Sequence, residues 1–107
     1  MYKRQGLAYF ERDNINLSIK LFESAISIEK NAEPLLGLAS CKNIRDTKLA
    51  IQLAKKALAK DPKYVNYDYR KEQLWGEKLQ ASTEILLQNE QLKKDVILAK
   101  SKIIESS

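Results

Sequence analysis

Acid–base chemistry near neutral pH most often runs through histidine, and this chain of 107 residues has none. The commonest general base and the commonest metal ligand are therefore missing. Cys41, the single cysteine, is of nucleophile type. It has no histidine to activate it and falls in an apolar helical stretch, where a thiol behaves as a small core residue. The carboxylate pairs Glu23 with Glu29 and Glu72 with Glu77 have the residue type of an acid–base dyad. Exposed helix charges explain both pairs at least as well. No Gly-rich phosphate loop and no metal-ligand spacing is present. The sequence thus predicts a protein that is not an enzyme and needs neither cofactor nor metal.

Binding chemistry has more candidates. Trp75 is the only tryptophan, and tryptophan is enriched where proteins anchor partners. Its helical phase with Leu79 and Leu86 better suits a core anchor. Tyr64, Tyr67 and Tyr69 flank the basic pair Arg70-Lys71, a combination that superficially suggests base stacking beside phosphate contacts. Alternate tyrosines on a helix point in different directions, so they form no common platform. Lys55, Lys56, Lys60 and Lys63 lie toward a helix C-terminus, where cations meet the negative end of the macrodipole. The formal net charge is +5. The excess is nearly all lysine, interleaved with Asp and Glu, whereas a nucleic-acid footprint is denser and richer in arginine. Nucleic acid is therefore disfavoured as a partner. RNA or another anion on the lysine-rich surface remains the alternative to a protein.

Helices must position these side chains. Three Gly and two Pro leave little room for the turns of an all-β fold. The first helix is expected from about Tyr2 to Arg12, with a turn at Asp13-Asn14. The second runs from about Asn16 to Glu29, with Leu17, Leu21, Ser24, Ala25 and Ile28 as its apolar stripe. Pro34 suits the first turn of a third helix ending near Lys42 or Asn43. The fourth starts at Asp46-Thr47 and ends at Lys60, because Pro62 disfavours helix in the residue before it. After a tyrosine-rich connection, one longer helix is expected from about Tyr67 to Leu87. A break at Gln88-Asn89 precedes a final helix to about Ile104.

Within this plan one pattern occurs twice. Ser18-x3-Phe22-x2-Ala25 and Ala50-x3-Ala54-x2-Ala57 share their spacing and lie roughly 32–33 residues apart, a period typical of helical repeat arrays. Such arrays stack into a curved surface rather than closing into a globule. Small residues three and four apart lie on one helical face, where they let a neighbouring helix approach closely.

The stretches Asp13 to Lys30 and Glu33 to Pro62 resemble the tetratricopeptide repeat, whose period is about 34 residues. Ala57-Leu58-Ala59-Lys60-Asp61-Pro62 is the most typical part. The second copy is about one residue short near Asn43 to Thr47, and the family's early aromatic is Tyr2 in the first copy but Leu35 or Leu36 in the second. The segment Tyr69 to Leu79 is similar to the tails of some cyanobacterial repeat proteins. The resemblance implies an all-α, right-handed stack of antiparallel helix hairpins in one domain. Residues 1–31 and 32–63 would be the repeats, and 64–107 an atypical capping pair.

In that family the first helix of each repeat lines a concave groove holding a peptide or partner helix. Carried over by phase, the groove would present Lys3, Leu7 and Phe10, then Leu36, Ser40 and Asn43, with Tyr69 and Arg70 added from the third unit. Tyr9 would be buried and Phe10 left toward the groove, or packed on Ile44 within the fold. Leu7 and Ser40 stand where some members place asparagines of a carboxylate clamp, so a clamp is not expected. The function implied is a non-catalytic adaptor for a protein segment, with a second copy of this chain as another possible occupant. No apolar run approaches the roughly 18 residues of a membrane span. The chain opens without a signal-peptide core, and one cysteine favours a reducing compartment. A cytoplasmic protein is expected.

Overall fold

The computed structural model describes the backbone of residues 2–106 and the side-chain surroundings of residues 6–104. Seven α-helices appear among them: α1 Tyr2–Glu11, α2 Ile15–Ile28, α3 Ala32–Lys42, α4 Thr47–Lys60, α5 Tyr67–Glu72, α6 Glu77–Leu87 and α7 Lys93–Ser106. Short 3-10 turns at Pro62–Val65 and Glu90–Leu92 join α4 to α5 and α6 to α7. The protein is all-α, and no strand occurs among the described residues.

Local chemistry accounts for most helix boundaries. The Asn14 side chain accepts the Leu17 N–H at 3.3 Å and starts α2, and Asp46 accepts the Leu49 N–H at 3.2 Å and starts α4. The Asp61 carboxylate accepts the Lys63 N–H at 3.1 Å and begins the 3-10 turn. Two helices stop in the same way. After α1, Asn14 N–H donates to Tyr9 O at 2.9 Å and Asp13 N–H to Phe10 O at 3.0 Å, with Asp13 at φ 63°. After α5, Trp75 N–H donates to Arg70 O at 3.1 Å and Leu74 N–H to Lys71 O at 3.0 Å, with Leu74 at φ 71°. Both are Schellman stops, in which one left-handed residue turns the chain away from the helix axis. The second splits the expected single helix over Tyr67–Leu87 into α5 and α6. Glycine is the usual residue at such a stop, and here Leu74 takes it two positions ahead of Gly76.

The α1–α2 and α3–α4 hairpins meet through α2 and α3. Phe22, fully buried on α2, fills the join. Its ring lies where a Cβ at Gly6 would come within 3.0 Å and one at Gly37 within 2.7 Å. Both glycines are therefore slots for that ring, and Gly37→Ala would overpack it. Ser18 Oγ donates to Gly6 O at 2.8 Å beside it. Ser18, Ala50, Ala54 and Ala57 are fully buried, as their spacing predicts. The stripe assigned to α2 is only half-buried at Leu17, Leu21, Ser24 and Ala25 and exposed at Ile28, and Ser18, Ile19 and Phe22 are the residues that α2 buries.

The third unit divides. Helix α6 packs on both α1 and α3, while α7 packs on α4 and on the 3-10 turn at Pro62–Val65. Helix α3 is left surrounded, and every residue from Ala32 to Cys41 is buried. The radius of gyration is 12.6 Å, close to the roughly 13 Å of a compact domain this size. The chain closes into a globule, contrary to the open curved array that the repeat period predicts.

Candidate functional site

The expected groove is occupied by the chain itself. Leu7 and Phe10 on α1 are 5% and 4% exposed, and Leu36 and Ser40 on α3 are fully buried. Helix α6 packs against both helices, and its own Leu79, Thr83 and Leu86 are fully buried. Phe10 is core, whereas Tyr9 is half-buried with the Arg12 guanidinium 6.0 Å from its ring centre. Tyr69 is half-buried, edge-on to Tyr64 with ring centres 5.0 Å apart. Arg70 is fully buried. The Lys3 side chain lies outside the described residues. Only Asn43 keeps partial exposure beside an open cleft.

Three polar clusters hold α6 and the Tyr64–Trp75 segment in place. Arg70 Nε donates to Gln80 Oε1 at 2.7 Å and its Nη1 to Tyr64 O at 2.9 Å. Its Nη2 pairs with Glu84 at 2.5 Å. Burial lowers the guanidinium pKa and Glu84 opposes that shift; the planar fork meets acceptors from three directions, which an ammonium cannot do. In the second cluster, Glu33 Oε2 accepts from Tyr64 Oη at 3.2 Å and Trp75 Nε1 at 3.1 Å. Burial, then the Glu33 carboxylate, pushes the Tyr64 hydroxyl well above its ordinary pKa.

The third cluster spans the α1–α6 and α3–α6 contacts. Glu11 of α1 accepts the Lys78 and Leu79 N–H groups at 3.1 and 3.0 Å, capping α6 from another helix because Gly76 has no side chain to do so. A Cβ on Gly76 would collide with the Glu11 side chain. Deeper in, Ser40 Oγ lies 2.9 Å from Leu36 O and 2.7 Å from Thr83 Oγ1, which lies 2.8 Å from Leu79 O. The two hydroxyl protons can make only two of these three contacts hydrogen bonds at any one time.

These clusters are structural in chemistry. Every buried side-chain polar atom among the described residues has a partner, and no group of His, Cys, Asp and Glu there has the arrangement to hold a metal ion. Burial pushes the Cys41 thiol up to about 12, so it stays protonated and a poor nucleophile.

Two openings lie at the edges of α6. A cleft of about 220 Å³ between α3 and α6 is lined by Ser40, Asn43, Ile44, Ser82 and Ile85. Ile44 and Ile85 are 63% and 65% exposed on its lip. Leu7, Ala8, Glu11, Leu74 and Gly76 line a second, of about 190 Å³. A more polar cleft of about 380 Å³ lies over Asn31, Glu33, Lys60, Asp61 and Tyr64. Phase reasoning from a repeat template found Ser40 and Asn43 but missed Ile44 and Ile85. An isoleucine in the α3–α4 turn, outside any helical stripe, was the available signal for Ile44. No protein-family model, curated protein or solved structure matches the chain.

Proposed function

We propose that the protein is a non-catalytic adaptor that binds a segment of another protein at the crevice between α3 and α6. The observation carrying this reading is the pair Ile44 and Ile85, two large aliphatic side chains left mostly in water on either bank of one cleft. Clustered exposed apolar groups rimmed by polar ones are a recurrent mark of protein contact sites. The saturated interior and the unreactive Cys41 leave binding as the function class these residues support best. The two spaced hairpins keep a tetratricopeptide-type ancestry as the preferred origin of the fold, with the cytoplasm as its compartment.

The test is affinity capture from a lysate of the source organism at moderate salt, with and without nuclease. The Ile44→Asp/Ile85→Asp variant is run in parallel. Protein partners that survive nuclease and disappear with the variant are the expected result. Recovery that collapses on nuclease treatment, or falls steeply with salt as counterion release demands, would replace this reading with nucleic-acid binding.

A further inference from the structure

The lip of the α3–α6 crevice is apolar, and the charge around Ile44 is net positive. Ile44 stands in the turn between α3 and α4, and Lys42, Arg45 and Lys48 fall within four residues of it. Arg45 and Lys48 are exposed and Lys42 is half-buried. None of the three forms an ion pair among the described residues. The carboxylates nearest in sequence to the two isoleucines are already engaged. Asp46 caps α4 through the Leu49 N–H, and Glu84 is held by buried Arg70. Beside Ile85, the α6 residue that lines the cleft is neutral Ser82. An apolar slot beside three uncommitted cations selects a ligand with the complementary pattern.

From this complementarity we infer that the crevice receives a protein segment presenting one large apolar side chain flanked by carboxylates. The apolar side chain sits between Ile44 and Ile85 over Asn43 and Ser82, and the flanking carboxylates meet Lys42, Arg45 and Lys48. This inference rests on the adaptor reading and adds to it the chemical class of the partner.

The experiment titrates the intact protein, labelled at isoleucine methyl groups, with three synthetic peptides of equal length. Each has one central leucine, flanked by glutamate, glutamine or lysine. The Glu-flanked peptide is expected to shift the Ile44 and Ile85 methyl signals saturably. It should bind about tenfold more tightly than the Lys-flanked one, the sum expected of a few exposed charge pairs. Arg45→Glu should erase most of that preference, and Ile85→Asp should abolish binding. Equal or stronger binding of the Lys-flanked peptide, shifts confined to other isoleucines, or no binding by any peptide overturns the inference. Capture with the Ile44→Asp/Ile85→Asp variant separates the two readings. If that variant still loses its protein partners, the adaptor reading survives and only the acidic class falls. If it retains them all, both fall.

Discussion

Arg70 gathers more side-chain hydrogen bonds than any neighbouring residue, and it does so with no exposed surface. Truncating one partner of a buried charged network leaves its acceptors unpaired, at a cost of about 3–5 kcal/mol. Arg70→Ala should therefore lower unfolding free energy by that order in urea titration, and Arg70→Lys should recover little of it. Two other buried groups couple stability to alkaline pH. The Cys41 thiol ionises near 9.0 when unfolded and near 12 in the fold, and Tyr64 is raised in the same direction. A raised folded pKa means that the unfolded chain releases its proton first. That contribution is complete below pH 9 and is lost as pH climbs from 9 toward 12. Denaturation midpoints measured across that window should fall, less steeply in Cys41→Ala. A rise with pH would contradict the burial of both groups.

At the scale of elements, the α5–α6 break is held by unusual residues. Leu74 occupies a left-handed conformation that costs an L-residue about 1–2 kcal/mol, and its side chain is mostly in water. Leu74→Gly should therefore leave stability unchanged or raise it by up to about 1 kcal/mol, glycine's own entropy cost offsetting part of the relief. Leu74→Val, β-branched and worse at positive φ, should lower it. Thermal melts of the pair check both signs. Glu11 supplies the other constraint, since it caps a helix 67 positions further along. Glu11→Ala should cost about 0.5–2 kcal/mol, as lost N-caps do, and Gly76→Ala should reproduce much of that loss by displacing the same side chain.

For the whole molecule, the position of α6 decides which surface remains for a partner. Leu7, Phe10, Leu36, Ser40 and Arg70, which a repeat template assigns to a groove, are core here, so their substitutions should act on stability. Phe10→Ala is expected to cost about 3–5 kcal/mol, the range for removing a buried aromatic. Ile85→Asp, at an exposed site, should stay within about 0.5 kcal/mol of wild type. Urea titration of the two variants distinguishes the arrangements. A neutral Phe10→Ala would mean that α1 presents that face to solvent.

Four helices, the Asp46 cap of α4 and the buried alanine face of α4 were legible in the sequence, because each depends on residues within one or two turns. Asp46 three residues before Leu49, Pro62 after Lys60 and alanines at i and i+4 act locally wherever the chain goes next. The break at Leu74 was partly legible through Gly76, a punctuation mark inside a helical pattern. The path of α6 was not, because non-local contacts set it: Glu11 to Lys78, and Ser40 to Thr83 across 43 positions. Periodicity identifies which face of a helix is apolar. It does not identify what covers that face, and Leu7, Phe10, Leu36 and Ser40 look alike in sequence whether a partner or α6 lies against them. Tertiary packing alone made that choice, since burying those side chains under the chain's own helix needs no second molecule and loses no translational freedom.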